Sequence, residues 1–178
     1  MDSLCYLHAP ATVNLPRSNF SNVVHNLHKE VIHYDKSRCA GCYVIFHLRF
    51  SDGCINVQDT FNAVLYVGKG NLDRASAHFP SKKNCGDNGN VPLTKQQKAL
   101  VTLLSEKQRI GVIALHCCHS AIAFGCEKVL IKHFQTTIHN SYSGHKHSLS
   151  VEALLTLETA ALEYLFARIS DCDFDLEY

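Results

Sequence analysis

The segment from Val64 to Gly70, VLYVGKG, constrains the fold of this chain more than any other. Its branched and aromatic residues favour an extended strand, and the glycines on either side of Lys69 then favour a turn. Asn71 can cap a helix directly after that turn. Arg74 and His78 lie four residues apart in the helix, so their side chains share one face. The sequence therefore predicts a strand, a tight turn and a short helix that presents a cation and an imidazole.

Hydrophobic spacing predicts the remaining secondary structure. Apolar residues at helical spacing favour helices over residues 20–34, from Thr94 past Leu104, over 121–135 and over 151–169. Branched and aromatic runs favour strands over 43–50, 63–67 and 110–117, with a turn at 51–53 and a loop over 80–92. In the last helix we expect these side chains to face the core: Leu154, Leu155, Ala161, Leu162, Leu165, Phe166 and Ile169. By itself this pattern indicates an α+β domain with one layer of helices on a short sheet.

The chain length and composition favour one globular domain. Its 178 residues are enough for a core of their own, and no apolar run is long enough to cross a bilayer. The first residues lack the basic start and apolar block of a signal peptide, so we expect an intracellular protein, nuclear or cytoplasmic, without membrane association. Nine cysteines are an odd number, and several lie in apolar segments. This favours reduced, buried thiols over a secreted disulfide scaffold.

Charge is distributed unevenly, although the net charge is only +1. Residues 1–150 hold 16 Lys and Arg against 9 Asp and Glu, whereas residues 151–178 hold one Arg against seven acids. A basic body can hold a polyanion despite a nearly neutral total, because the local field governs binding. Nucleic acid therefore stays among the partners that the sequence allows.

Two half-motifs resemble those of the GIY-YIG nucleases. Gly41–Tyr43 is similar to the first, with cysteine at position 42 in place of the usual isoleucine, and Tyr66–Gly68 is similar to the second. Arg74 stands where that family keeps its arginine. Within the family, the chain most resembles the GIY-YIG domain of the LEM-domain, ankyrin-repeat nucleases of animals. Three segments carry this likeness: Val64–Gly70, Gly111–Cys117, and the helix of Glu127 with the residues that lead to Asn140.

The resemblance spans about residues 41–145 and implies a fold. It implies an α+β domain with a small three-stranded, mostly antiparallel sheet flanked by helices, to which this chain adds a C-terminal helix. We therefore divide the chain into three parts: an N-terminal extension with one helix (1–40), a GIY-YIG-like nuclease domain (41–145), and a C-terminal helix with an acidic tail (146–178) packed on the same domain.

The resemblance also implies roles for two tyrosines. Tyr43 would take a proton from the attacking water with help from His78, and Tyr66 would hold the water or the phosphate by a hydrogen bond. A free phenol has a pKa of about 10, so we expect Lys69, Arg74 or His78 to lower it. Which phenol is the base stays open. The plainer interpretation of either tyrosine is a half-buried anchor in its strand.

Arg74 and the glycine turn are the expected phosphate contacts. A guanidinium offers a planar fork of donors that suits phosphate oxygens and keeps its charge. The resemblance adds the turn Gly68–Gly70 to the phosphate-binding residues. The plainer interpretation of Arg74 is a surface ion pair with Asp73 or Asp87.

Glu127 is the expected metal ligand. The resemblance implies one glutamate on this helix as the sole protein ligand of a single Mg²⁺ or Mn²⁺ ion. One carboxylate, with waters and a substrate phosphate, suits magnesium. The plainer interpretation is a solvated helix face, although neighbours such as Phe124 and Leu130 are apolar. Asn140 would support the phosphate or the glutamate.

The function that the resemblance implies is a metal-dependent DNA endonuclease, with branched or irregular DNA as substrate. A second hypothesis is a catalytically inactive module on the same scaffold that binds nucleic acid or protein. A third is a small zinc-stabilised protein, because Cys39 and Cys42 form a CxxC and Cys117–His119 offers further ligands. No second CxxC follows at finger spacing. The sequence leaves the oligomeric state open.

Overall fold

The structure is a computed structural model that describes residues 19–31, 41–70, 74–75, 77–79, 93–140 and 149–171. In chain order they form helix α1 (Asn19–Val31), strands β1 (Gly41–His47), β2 (Phe50–Ser51) and β3 (Cys54–Ile55), helix α2 (Val57–Phe61), strand β4 (Val64–Lys69), helix α3 (Lys95–Ser105), strand β5 (Ile110–His116), and helices α4 (Ser120–His133) and α5 (Val151–Ser170).

These elements confirm most of the secondary structure expected from hydrophobic spacing, with shifted ends; the spacing had not indicated α2. The loop expected over 80–92 lies outside the described residues. So do residues 71–73 and 76 of the helix expected after the glycine turn, in which Arg74 and Ala75 are helical.

The sheet that carries the site has three strands in the order β4-β1-β5, and both pairings are antiparallel. Strands β2 and β3 form a separate hairpin, whose turn uses Asp52 (φ 54°) and Gly53 (φ 80°). Positive φ at both central residues is what a two-residue hairpin turn prefers, and the turn expected at 51–53 is confirmed. The expected α+β class, with a small antiparallel sheet flanked by helices and an added C-terminal helix, is confirmed as well.

Successive side chains of β1 point to opposite faces of the sheet, and both faces are buried. We call the first the core face. It carries Cys42 and Val44, and it packs with α1, α4 and α5 into one apolar cluster. The second, which we call the site face, carries Tyr43 and Ile45 and packs against Leu100 of α3 in a smaller cluster. The site face therefore packs against the smaller of the two apolar clusters.

Two of the side chains expected to face inward on α5 do not. Leu155 is 60% exposed and Phe166 is 40% exposed. The helix packs on α1 and α4 through a narrow stripe that includes Leu157, Ala161 and Leu165. At 3.6 residues per turn, Leu155 and Phe166 lie roughly half a turn away from that stripe, so the expectation was wrong for both.

Helix α3 begins with a complete capping box. The Thr94 hydroxyl accepts the backbone N–H of Gln97, and the Gln97 side chain accepts the backbone N–H of Thr94. This reciprocal pair satisfies two donors at the helix start. It sets the orientation of the first turn, which contains Gln96. Among the helices of the described residues, none is long and apolar enough to span a bilayer.

Candidate active site

The register of β1 and β4 brings Tyr43 and Tyr66 together on the site face. Tyr43 is paired with Gly68, and Ile45 is paired with Tyr66. Side chains of directly paired residues lie on the same face of a sheet. Tyr43, Ile45 and Tyr66 therefore all point to the site face, on which Gly68 has no side chain. The two phenol rings have centroids 6.1 Å apart. The two half-motifs, Gly41–Tyr43 and Tyr66–Gly68, are more than 20 residues apart in the sequence, and strand pairing brings them onto one surface.

Gly68 is required by the position of the Tyr43 ring. A Cβ atom at residue 68 would lie 2.5 Å from both Cζ and the hydroxyl oxygen of Tyr43, and 2.8 Å from Cε1 of Tyr66. The phenol therefore occupies the space that any larger residue would need. Glycine at position 68 therefore leaves the space in which the Tyr43 ring packs.

His78 joins the two phenols. Its Nε2 lies 2.6 Å from the Tyr43 hydroxyl oxygen, and its ring centroid lies 4.5 Å from that of Tyr66. Burial lowers the pKa of His78, and the Arg74 guanidinium lowers it further. The imidazole is therefore neutral at neutral pH, and one of its nitrogens can accept a proton from Tyr43.

The expectation that neighbouring cations lower the phenol pKa is wrong. Burial raises the pKa of Tyr43, and the neighbouring Tyr66 raises it further, while Arg74 only partly opposes them. Burial also raises the pKa of Tyr66, followed by the charge of Glu127. Desolvation disfavours the phenolate more than the guanidinium favours it. Both phenols are therefore protonated at neutral pH.

Lys69 does not lie with the phenols. Its Nζ is 3.9 Å from the centroid of the Phe124 ring on α4. Residue 69 alternates with Gly68 along β4, so its side chain leaves the strand on the opposite face from Tyr43. An ammonium over an aromatic face is stabilised by the ring quadrupole. The alternative in which Lys69 lowers a phenol pKa is therefore wrong, and its role as a phosphate contact stays a prediction.

Arg74 lies at the rim of the phenol pair and is exposed. Its aliphatic part packs against Gly70, where a Cβ atom would lie 2.8 Å from the arginine Cδ. Gly70 has a φ of 138°, a conformation that side chains rarely adopt. The charge of Arg74 acts on Tyr43, Tyr66 and His78. The glycine turn therefore holds the Arg74 side chain within electrostatic range of the three aromatic groups.

Glu127 is the only buried carboxylate among the described residues, at 0% exposure. Its Oε1 accepts the backbone N–H of Lys69 at 3.0 Å. Its charge also raises the pKa of Tyr43 and Tyr66, so it lies within electrostatic range of both phenols. The plainer interpretation of Glu127 as part of a solvated helix face is wrong, because its helix packs directly against β1 and β4.

Asn140 holds the free edge of β4. Its Oδ1 accepts the backbone N–H of Val67 at 3.1 Å, and its Nδ2 donates to the carbonyl of Val67 at 2.7 Å. Because β4 is an edge strand of the three-stranded sheet, Val67 and Lys69 have no strand partner on that side. Asn140 and Glu127 supply the missing hydrogen bonds. A direct contact of Asn140 with phosphate stays a prediction.

The donor set at this cleft fits a hard divalent ion. In the described residues there is no group of three or more His, Cys, Asp and Glu side chains placed to hold a metal ion. Mg²⁺, however, is commonly bound by one or two carboxylates, with waters and substrate phosphate completing its shell. A single buried glutamate is compatible with that mode of binding and does not suit a structural zinc site, which needs four protein ligands.

The cysteines near the site pack as thiols. Cys42, Cys117 and Cys126 are free and fully buried. All three belong to the larger apolar cluster on the core face of the sheet. Cys39, the other half of the CxxC, lies outside the described residues.

Gln96 is a site residue that the sequence reasoning missed. The sequence pattern at residues 94–97 indicates only a helix start, whereas Gln96 is buried and its side chain raises the pKa of His78. Its position in the first turn of the helix carries no signal of this effect, because the two residues come near each other only when α3 packs on the site face.

Comparison with known proteins identifies the family. Residues 40–159, more than half of the chain, match the LEM-3-like GIY-YIG domain. Neither a curated protein nor a solved structure matched the chain. The matched range contains both half-motifs, Arg74, His78, Glu127 and Asn140. The chain therefore belongs to the LEM-3-like GIY-YIG domain family, within a superfamily of nucleases.

Proposed function

We propose that this chain is a metal-dependent endonuclease that hydrolyses phosphodiester bonds in DNA. One observation carries the proposal: the Tyr43 hydroxyl lies 2.6 Å from Nε2 of a neutral His78, and the charges of Arg74 and Glu127 both act on Tyr43. A proton acceptor, a phosphate-binding cation and a carboxylate are the groups that phosphodiester hydrolysis requires.

Tyr43 acts in this proposal as a proton relay. Its raised pKa means that a phenolate does not form beforehand, so the phenol must release its proton as it accepts another. The attacking water gives a proton to the phenol oxygen, and the phenol proton passes to Nε2 of His78. The water oxygen then bonds to phosphorus, the bond to the leaving oxygen breaks, and His78 ends as imidazolium. The net base is His78, and Tyr43 carries the proton between them.

Tyr66 and Arg74 orient the phosphate. Tyr66 is half-buried beside both members of the relay, so its hydroxyl can hydrogen-bond the water or a phosphate oxygen. Arg74 neutralises charge on the phosphorus oxygens, and removal of one such donor typically costs about 3–4 kcal/mol of transition-state stabilisation. The turn Gly68–Gly70 lets the backbone approach the phosphate closely.

Glu127 is the residue that would hold the divalent cation, Mg²⁺ or Mn²⁺. Such an ion, when bound, stabilises negative charge on the leaving oxygen. Glu127 is held by the backbone N–H of Lys69, and Asn140 holds the neighbouring residue of the same strand edge. The likeness to the LEM-domain nucleases favours branched or irregular DNA as the substrate.

A nicking assay tests the proposal. Supercoiled plasmid and a branched DNA are incubated with Mg²⁺ and the wild type, and then with Arg74→Ala, Glu127→Gln and Tyr43→Phe. We expect cleavage by the wild type and a loss of about 100-fold or more in each variant, in line with removal of one transition-state donor. Arg109→Ala and Glu152→Gln change exposed residues of the same types, and both should cleave normally.

Two outcomes would contradict the proposal. If the three site variants cleaved like the wild type, the nuclease activity would come from elsewhere. If the wild type bound DNA in a mobility-shift assay and cleaved none of it with Mg²⁺ or Mn²⁺, the inactive binding module would be the better hypothesis. Because Glu127→Gln keeps a carbonyl that can accept from Lys69, a loss of its activity is not explained by a lost hydrogen bond.

A further inference from the structure

Strand β4 does not alternate regularly between the two faces of the sheet. Val64 and Val67 both belong to the larger apolar cluster on the core face, although they are three residues apart in the sequence. In a regular strand, residues three apart point to opposite faces. The alternation must therefore be interrupted between these two valines.

The interruption is a β-bulge at Leu65. Tyr66 is paired with Ile45 of β1. The next residue of β1, Phe46, is paired with Val64. In the register of these two strands Leu65 is therefore the extra residue, and two residues of β4 lie opposite one of β1. As a result Leu65 and Tyr66 both pack with the smaller apolar cluster on the site face, although they are consecutive in the sequence.

The bulge is held from the free edge of the sheet on both sides of Tyr66. The backbone N–H of His139 donates to the carbonyl of Leu65 at 2.9 Å. The next residue, Asn140, holds the backbone of Val67 through two hydrogen bonds. Because Leu65 and Val67 flank Tyr66, these hydrogen bonds fix the backbone from which the phenol projects.

We propose that Leu65 is a positioning residue: as the extra residue of the bulge, it sets the direction in which the Tyr66 phenol leans toward His78. A bulge bends its strand, increases the local twist and re-aims the side chains beside it. The ring centroid of Tyr66 lies 4.5 Å from that of His78 and 6.1 Å from that of Tyr43. Tyr66 and Tyr43 are diagonal neighbours across the two strands, so the contact of their rings depends on how each ring leans. The inference rests on the proposed function, in which Tyr66 orients the water or the phosphate.

Deletion of Leu65 tests this inference, because it removes the bulge and leaves the register of the two strands unchanged. Without residue 65, the pair of Phe46 with Val64 and the pair of Ile45 with Tyr66 become consecutive, as in a regular antiparallel ladder. Tyr66 stays on the site face, while its strand loses the bend and twist of the bulge. We expect this variant to fold, and circular dichroism with urea denaturation checks that it does.

The position of the Tyr66 ring can be followed through the NMR resonance of the His78 Cε1–H, which senses the ring current of the neighbouring phenol. We expect this resonance to move in the deletion variant, and kcat for plasmid nicking to fall by about 10- to 100-fold, up to the loss that a displacement of about 1 Å causes. Leu65→Ala shortens the side chain and keeps the bulge. The deletion should therefore lower kcat at least about tenfold more than Leu65→Ala does.

Val112→Ala is the matched control, since it also removes apolar contacts from the smaller cluster but lies on β5, whose pairing with β1 is regular. It should lose stability and keep both the His78 resonance and kcat. Asn140→Ala is a second test that keeps every residue of β4. Loss of its hydrogen bonds beside Tyr66 should also move the His78 resonance, and this variant decides the matter if the deletion fails to fold.

The inference would be overturned if the deletion and Asn140→Ala both left the His78 resonance in place. It would also be overturned if the deletion variant nicked plasmid at the rate of Leu65→Ala. If the resonance moved as expected while even the wild type cleaved no DNA, the positioning of Tyr66 by the bulge would be supported and the proposed nuclease function would fail.

Discussion

Substitution of Gly68 by alanine tests the geometry of the relay. The structure gives the size of the perturbation directly, because the new Cβ would lie 2.5 Å from Cζ and from the hydroxyl oxygen of Tyr43. Carbon atoms in contact sit about 3.5–4.0 Å apart, so the phenol ring must move by about 1 Å. Tyr43 is almost fully buried, and the ring cannot rotate into solvent.

That displacement would break the hydrogen bond to His78. The oxygen–nitrogen distance is 2.6 Å, and an added displacement of about 1 Å exceeds the range in which such bonds form. A misplacement of about 1 Å in a catalytic constellation can lower the rate about 100-fold. Overpacking of this kind also lowers the free energy of unfolding by about 1–3 kcal/mol.

The assay is the rate of plasmid nicking by Gly68→Ala, measured beside urea denaturation. Gly53→Ala is the matched control: its φ of 80° strains an alanine by about 1–2 kcal/mol, and no atom lies within 4 Å of the added Cβ. The control should lose comparable stability and keep its activity. A folded Gly68→Ala protein that nicked within about threefold of the wild-type rate would refute the role given to the Tyr43–His78 contact.

Two further predictions concern stability. Asn140→Ala removes two hydrogen bonds to Val67 and leaves the Val67 N–H without a partner, so we expect the free energy of unfolding in urea to fall by about 2 kcal/mol and amide exchange at Val67 to become faster. Asn62→Ala, at an exposed position, is the control. If amide exchange at Val67 were equally fast in Asn140→Ala and in the wild type, the role of Asn140 at the strand edge would be contradicted. Burial lowers the pKa of His47, His78 and His139 in the folded chain, so the unfolded chain binds more protons below about pH 6.5. The free energy of unfolding should be highest above that pH and should fall as the pH drops towards the folded-state values; a flat profile between pH 7.5 and 5.5 would contradict these shifts.

Local patterns were sufficient for most of the fold. The capping box at Thr94, the cap at Ser150 and the turn at Asp52 and Gly53 each form through contacts within a few residues. The strands were predictable because runs of branched and aromatic residues favour extended backbone, and such runs can be recognised in the local sequence. The prediction was wrong where burial depends on how a helix packs against other elements. Leu155 and Phe166 were expected to face inward, whereas α5 packs on α1 and α4 with both side chains exposed.

The sequence predicted which residues form the candidate site, but not the direction of the pKa shifts of its tyrosines. The resemblance named Tyr43, Tyr66, Arg74, His78 and Glu127; the structure brings Tyr43, Tyr66 and His78 into contact, and the charges of Arg74 and Glu127 act on both phenols. The direction of the phenol pKa shifts was wrong, because proximity in sequence carries no information on burial, and desolvation outweighs the arginine. The ammonium of Lys69 was expected beside the phenols and lies over a ring on the other face.

The amino-acid sequence by itself determined the order of helices and strands, the glycine turn and the set of chemically able side chains, since each depends on near neighbours or on residue type. Only the tertiary structure decided which of those side chains meet. The pairing of Tyr43 with Gly68, the buried Glu127 at the edge of β4 and the hydrogen bond of Tyr43 with His78 join residues from separate elements. Strand register and helix packing set these distances, and both arise from burial of the whole chain.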